Sequence, residues 1–345
     1  MTETTVETGG ATGSRVLVVG GHGAVGSAVV AALDGWLPGR VLAGGRGRGV
    51  RVDVTDPEAF GRTLGELGEG PAPLGAVVMC VEPPDSGAAR ACLERGVGVV
   101  DVGATPALLD GVAGLDGVAR RAGATAVLSV GVAPGLTNLL ARRAHEAVGG
   151  AERIDLTVLL GAGERHGADA VRWTVEGLAE PVTAAPGRYA LPGYGRRAAH
   201  PFPFADQYVL RRTLGVPEVT TRLALDSRAL TAALFTLRRT GAARPPAVRR
   251  LLTALFRRVH TGGDGFALRA EAVRGEQRVA LALAGRVQSR VTGLVAAHAA
   301  RALLDGALPS GVHHLEGLPA LADLPERLGL TVVREARGPE VREVR

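Results

Sequence analysis

The sequence predicts an α/β fold: a doubly wound parallel sheet followed by an α+β unit built on a mixed sheet. Three observations carry this. Short apolar runs rich in Val alternate with helical patterns between Arg15 and Val148. The first apolar run breaks into a glycine cluster and resumes with helical spacing. From Ala151 onward the strands lengthen, and some alternate apolar with polar residues, as a half-covered sheet does.

In chain order, Arg15 to Leu33 (RVLVVGGHGAVGSAVVAAL) reads as strand, turn and helix. Gly21, Gly23 and Gly26 form G-x-G-x-x-G at the junction. In a nucleotide-binding βαβ unit the first glycine turns the chain and the second admits a pyrophosphate. The third lets helix and strand pack closely. Ala24 and Val25 then stand in the first helical turn, whose free N–H groups hold phosphate oxygens. Such a cluster, following a strand and opening a helix, implies a dinucleotide cofactor.

Arg40 to Gly44 reads as the second strand. Its end, Gly44-Gly45-Arg46-Gly47-Arg48, lacks the carboxylate that would bond a ribose 2′-hydroxyl. Arg46 suits a 2′-phosphate instead, so NADP is expected rather than NAD. Val50 to Val54 reads as the third strand, with Asp53 and Val54 at the adenine. Asp56 or Thr55 before Pro57 would cap the next helix. Ala76 to Val81 is a buried strand whose end brings Cys80 and Val81 beside the cofactor; Glu82 follows as a loop acid. Then come a helix (Ser86 to Arg95), a strand (Val97 to Val102), a helix (Pro106 to Ala122) and a strand (Ala124 to Val130). The turn Gly131 to Asn138 opens a helix that runs to about Val148.

In the second unit, strands are expected at Arg153–Leu160, Val219–Leu225, Phe266–Val273 and Arg278–Leu283, with a hairpin turn at Gly275. Helices are expected at Ala168–Leu178, Ser227–Arg239 and Ala247–Val259. A long helix, Gln288 to Leu304, returns the chain to the first unit. The expected division is a disordered tail at 1–13, a dinucleotide-binding unit at 14–148 and 287–335, a substrate or dimerisation unit at 149–286, and a frayed tail at 336–345.

Composition narrows the chemistry. The chain has 345 residues, a net charge of +6 and no lysine, so every cation among its 40 Lys+Arg is arginine. That removes Schiff-base, Walker and general-base lysines from consideration. The arginines are scattered and only 3% of residues are aromatic, which argues against nucleic acid. No apolar run is long enough to span a bilayer, and the first residues do not read as a signal peptide. Cys80 and Cys92 lack metal or redox spacing, so a reducing, cytoplasmic setting is expected. His313 and His314 have no third ligand at metal spacing, and no metal is expected.

Several segments then resemble a known family. VLVVGGHGAVG, AGGR, DVTD and ARACLERGVGVVDVGATP are similar to the saccharopine dehydrogenase (saccharopine reductase-like) family. SVGVAPGLTNLLA resembles that family's glycine/proline turn facing the cleft, which makes Pro134 a substrate neighbour. Looser likeness continues through LLGAGERHGADAVRWT, FADQYVLRRTLGV, RLALDSRALTAALF and QSRVTGLVAAHAARALL. The resemblance implies an N-terminal Rossmann domain, a mixed-sheet domain that mediates a homodimer, and hydride transfer with NAD(P), commonly at a C–N bond.

Such a reaction needs a proton donor and substrate ligands in the cleft. His166, between glycines before a helix, and Tyr208 are the candidate donors. Asp206 is a candidate acid or amine ligand. Glu164, Gln207 and Trp173 are candidate substrate contacts, and the Pro-rich loop before Phe204 (Pro201, Pro203) reads as a substrate-facing lid. Arg222, Arg228, Arg286 and Arg290 are candidate carboxylate ligands. The expectation is an NADP-dependent reductase of an amino-acid- or amine-derived imine. Two alternatives stand beside it: a ketone or enoyl reductase of specialised metabolism, favoured by an apolar cleft without arginine, and a non-catalytic NADP-binding regulator.

Overall fold

A computed structural model describes residues 13–69, 72–164, 168–180, 184–258 and 262–337. The first part of the chain alternates strand and helix. β1 (Arg15–Val19) leads into α1 (Ala24–Trp36), then β2 (Val41–Gly45) and the short β3 (Val50–Arg51). α2 (Pro57–Gly68), β4 (Leu74–Met79), α3 (Gly87–Leu93) and β5 (Gly98–Asp101) follow. The run expected as one helix from Pro106 is two, α4 (Pro106–Ala113) and α5 (Asp116–Arg121). The break falls at Gly114 and Leu115, where glycine is a poor helix former. β6 (Thr125–Leu128) ends in a turn at Val132–Leu136, and α6 (Thr137–Ala147) begins three residues beyond Pro134. Gly135, at φ +137°, holds a conformation only glycine tolerates well and keeps Pro134 outside the helix.

The second part begins with β7 (Arg153–Leu160) and α7 (Ala168–Ala179). A hairpin follows, β8 (Gly187–Leu191) and β9 (Gly195–Pro201), and then α8 (Ala205–Thr213). β10 (Glu218–Leu225), α9 (Arg228–Arg239), α10 (Pro246–Arg258), β11 (Gly265–Arg274) and β12 (Gln277–Arg286) continue it. α11 (Gln288–Leu304) returns to the first sheet, followed by β13 (Gly311–His314), α12 (Leu324–Arg327) and β14 (Val333–Arg337).

Among the described residues two seven-stranded sheets result. The first runs β13-β6-β5-β4-β1-β2-β3 with every pairing parallel. The second runs β14-β12-β11-β7-β10-β9-β8 and is mixed, since β7 and β10 pair in parallel and the remaining pairings are antiparallel. His313 and His314 therefore belong to β13, the edge strand beside β6 in the parallel sheet. β14 joins the second sheet beside β12, so residues 333–337 neither return to the first unit nor start a free tail. Backbone pairing to an edge strand places them there, a nonlocal cause that composition does not reveal.

Alternation along the strands explains the two layers on the first sheet. Val16, Val18, Val78 and Val100 pack with Val29 and Leu33 of α1 and with α11. Leu17, Val19, Val77 and Val99 pack instead with Phe60, Leu64 and the α3–α4 side. The first of these clusters runs on through α6 into Ile154, Leu156 and Leu268 of the second sheet, so one core spans both. α11 crosses α1 closely at Gly293, where a Cβ would stand 2.9 Å from the Val25 carbonyl oxygen. The close crossing brings the N-terminal end of α11 to the same cleft as that of α1.

Candidate functional site: a cleft between the two sheets

The cleft starts at the glycine turn after β1. Gly20 sits at φ +76°, and a Cβ there would meet Val81 Cγ1 at 2.7 Å. Gly21 is buried, its N–H bonded to the Val18 carbonyl at 3.1 Å. A Cβ on Gly26 would overlap the Gly20 carbonyl oxygen, so this position holds helix and strand together. α1 then begins with Gly23 as its N-cap, without a side-chain cap and without an acidic residue in its first turn. The first N–H groups of a helix have no intrahelical acceptor. Here Gly23, Ala24, Val25 and Gly26 line a cavity of about 770 Å³. An uncapped N-terminus with its positive dipole end facing open space is a cradle for phosphate.

Arg46 and Arg48, both exposed in the turn after β2, line the same cavity. Cys80, Val81, Gly103, Ala104 and Pro134 continue the lining at the ends of β4, β5 and β6. Burial, aided by the nearby Asp101 charge, pushes the Cys80 thiol up to about 12, so it is a neutral packing group. Glu82 is no free acid: its carboxylate accepts from the Ala104 N–H at 2.9 Å, the Thr105 N–H at 3.1 Å and the Thr105 hydroxyl at 3.0 Å. It thereby fixes the loop that starts α4. The Ala133–Pro134 peptide is cis, and the Val132 N–H donates to Thr292 Oγ1 of α11 at 3.3 Å.

Beyond Pro134 the cavity passes to the second sheet and becomes apolar. Val158 and Leu160 of β7 and Leu223 and Leu225 of β10 form its base. Trp173 and Leu178 of α7 close one side; Leu230, Leu234 and Phe235 of α9 and Phe256 of α10 close another. Trp173 is held edge-on between Phe202 and Phe204, with ring centroids 5.0 and 4.8 Å away. It is thus a wall of the cavity and part of the core at once.

Several expected site residues lie elsewhere. Asp53 and Val54 do not line the cavity. Asp53 Oδ1 accepts from the Thr55 N–H at 2.9 Å and the Thr55 hydroxyl at 2.6 Å, contacts that hold its carboxyl below the usual range. Asp56 is the cap of α2, accepting from the N–H groups of Glu58 and Ala59. Pro201, expected in a lid, ends β9, and Asp206, Gln207 and Tyr208 on α8 do not line the cavity. Ala205, Asp206, Val209 and Leu210 turn inward on α8, because apolar residues at i and i+4 spacing bury that face. Tyr208 is 41% exposed and away from the cavity. Gln207 accepts from the Thr221 N–H at 3.3 Å and donates to the Phe202 carbonyl, tying α8 to β10. His166 lies outside the described residues.

Asp206 belongs to a buried polar network behind the Pro134 turn. Thr221 Oγ1 donates to it at 2.5 Å, and burial, reinforced by Glu316, pushes its carboxyl up to about 6. Asn138 takes the Gly135 N–H at 3.2 Å and donates to Glu316 at 3.1 Å; Thr213 donates to the other Glu316 oxygen at 2.7 Å. Ser129 Oγ and His314 Nδ1 pair at 2.9 Å nearby. These groups brace the turn and do not face the cavity.

Glu164 does line the cavity, but both its oxygens are used. They accept from the N–H groups of Gln288, at 2.8 Å, and Ser289, at 2.7 Å, capping α11. None of the four candidate arginines lines it. Arg222 bonds Asp155 at 2.5 Å, Arg286 pairs with Asp264 at 2.9 Å, and Arg228 and Arg290 are exposed elsewhere. Among the lining residues missed from the sequence are Gly20, the apolar chamber residues of β7, β10, α9 and α10, and Gln288, Ser289 and Thr292 of α11. The glycine preceding the motif was a readable signal for Gly20; nothing local marked those on α11. No group of three metal-ligating side chains occurs among the described residues. No described helix is long and apolar enough to cross a membrane.

No protein-family model matches the chain, and no curated protein matches it. Among solved structures, the chain is similar to a C. glutamicum DAP dehydrogenase in complex with DAP. Identity is 15%, covering 92% of this chain and 99% of that one, at a TM-score of 0.47. An engineered D-amino acid dehydrogenase bound to NADP+ shows 15% identity over 90% of this chain and 95% of its own, at a TM-score of 0.49. The WlbA (WbpB) dehydrogenase of Thermus thermophilus with NAD and UDP-GlcNAcA shows 15% identity over 90% and 94%, at a TM-score of 0.39. At these levels of likeness, function has to be read from the chain's own cleft. Its architecture is a parallel α/β sheet joined to a mixed sheet, with a glycine-turn cavity opening between them.

Proposed function

We propose that the chain is an NADP-dependent oxidoreductase acting on an unsaturated bond of a small molecule held between the two sheets. One observation carries this reading. A single cavity runs from the uncapped end of α1, past Arg46 and Arg48, to an apolar chamber on the second sheet. A nicotinamide dinucleotide, when bound, supplies or accepts the hydride. The residues present fit such a group: Gly20 and Gly26 leave space a Cβ would fill, and the first turn of α1 offers free N–H donors. Two guanidinium groups and no carboxylate at the end of β2 support NADP over NAD.

The chain's remaining tasks are orientation and exclusion of water. The braced Pro134 turn, Trp173 and α11 give the chamber rigid walls. The resemblance to the saccharopine dehydrogenase family supports a C=N acceptor and a homodimer; the chamber's apolar lining supports the ketone or enoyl alternative. An open chamber beside the dinucleotide end favours turnover over a purely regulatory role. Fluorescence titration of the purified chain with NADPH and NADH tests the proposal. Saturable binding with NADPH the tighter ligand is expected; no binding of either contradicts it.

A further inference from the structure

The chamber has an unusual charge balance for an enzyme whose resemblance implies amino-acid-derived substrates. Ionisable side chains among the described lining residues are His22, Arg46, Arg48, Cys80, Glu82 and Glu164. His22 and the two arginines stand at the glycine-turn end. Cys80 is a neutral thiol, and the two carboxylates are committed to backbone N–H groups. No unengaged described charge therefore faces the far chamber. Its walls there are Val158, Leu223, Trp173, Leu234, Phe235 and Phe256.

A carboxylate or ammonium group moved into such a space loses its hydration without gaining a partner, which costs several kcal/mol. An uncharged apolar group gains instead, at about 0.8 kcal/mol per buried methylene. The entrance carries the same character. Leu255 lines the cavity while 46% exposed, and Leu251, one turn earlier on α10, is 68% exposed. Spaced i and i+4 on a helix otherwise rich in arginine, the two leucines form an exposed apolar lip, with Leu255 at the cavity and Leu251 one turn outward from it.

We propose that the natural substrate is an uncharged, lipophilic molecule that enters past the Leu251–Leu255 lip and lodges its apolar body between β7, β10 and helices α7, α9 and α10. This rests on the oxidoreductase reading for the reaction, but not for the binding itself. Amino-acid-like zwitterions and 2-oxo acids are poor fits to the chamber.

The test is calorimetric titration of the full chain, alone and saturated with NADPH, with straight-chain 2-alkanones of six to twelve carbons, taken as about that range of apolar length, and with 2-oxo acids of matching length. Affinity for the ketones is expected to rise about fourfold per added methylene, the factor equivalent to 0.8 kcal/mol. The matching 2-oxo acids are expected to bind at least about tenfold more weakly. Leu255→Asp, at an exposed position that folding tolerates, is expected to weaken the longer ketones several-fold. Leu230→Arg, placing a cation in the chamber, is expected to reverse the preference toward 2-oxo acids. Ketone affinity that ignores chain length, or tighter binding of the 2-oxo acids by the unmodified chain, overturns the proposal. NADPH binding without ketone binding overturns it alone; ketone binding without NADPH binding overturns the oxidoreductase reading and leaves the lipophilic chamber standing.

Discussion

The Glu164 carboxylate accepts the backbone N–H of Ser289 at 2.7 Å, joining the end of the loop after β7 to the first turn of α11. The second oxygen takes the Gln288 N–H at 2.8 Å. Both sites lie at the cavity wall, so one side chain sets the position of the helix that packs on α1. Replacing a helix cap by alanine costs about 1 kcal/mol, and loss of a charged acceptor for two donors raises that to about 2 kcal/mol. Glu164→Ala is expected to lower the unfolding free energy measured by urea titration by that amount, and Glu164→Gln by less, because its amide oxygen still accepts.

Gly26 and Gly35 lie on the same helix and should respond oppositely to alanine. A Cβ at Gly26 overlaps the Gly20 carbonyl, whereas nothing lies within 4 Å of one at Gly35. Gly26→Ala is expected to destabilise by about 1–3 kcal/mol and to weaken NADPH binding at least about tenfold. Gly35→Ala is expected to stabilise by about 0.5–1 kcal/mol with binding unchanged. Denaturation and NADPH titration of the two variants separate the steric role of Gly26 from general helix propensity.

Arg46 lines the cavity, and its proposed role as the 2′-phosphate ligand makes a testable difference. Charge-assisted hydrogen bonds are worth roughly 1.5–3 kcal/mol, or about tenfold to a hundredfold in affinity. Arg46→Ala is expected to weaken NADPH by that factor and leave NADH nearly unchanged. Equal losses for both ligands would remove the phosphate assignment and leave Arg46 a general cavity cation.

Asp206 gives a pH signature. Its carboxyl stays protonated in the folded chain to about pH 6, but ionises near the usual carboxylate value of ~4 once unfolded. Its contribution is therefore complete below that unfolded value and is lost as pH rises through about 6. Asp206→Asn cannot ionise and keeps an oxygen for the Thr221 hydroxyl. Its stability relative to the unmodified chain should rise between pH 4 and 7.5 by on the order of 2–3 kcal/mol. Asp101, also pushed up to about 6 by burial, is unchanged in both proteins, so the difference isolates Asp206. Urea titrations at the two pH values check it; a pH-independent difference contradicts the buried assignment.

Local patterns reach both sheets: β1 and its glycine turn, β7 at Arg153–Leu160 and α11 at Gln288–Leu304 stand where apolar runs and spacing put them. The hairpin β8–β9 was not legible, because its second strand, GRRAAHP, has little apolar alternation and is held by pairing to β10 at Arg222 and Leu223. β13 and β14 are short edge strands whose identity depends on distant partners. The same distinction divides the site. The glycine turn is local in sequence and was readable, whereas Gln288, Ser289 and Thr292 reach the cavity only through the crossing of α11 over α1. Asp206 and Gln207 read as cleft residues because they are polar. Their shared partner Thr221 lies across the α8–β10 contact, where no local pattern announces it.

The most direct measurement is the affinity of the purified chain for NADPH, followed by ligand fluorescence, with Gly26→Ala in parallel. A saturable complex that tightens over NADH and is lost in the variant is the expected result. If the unmodified chain binds neither dinucleotide, or binds both identically with Gly26→Ala, then the open end of α1 is not a cofactor cradle.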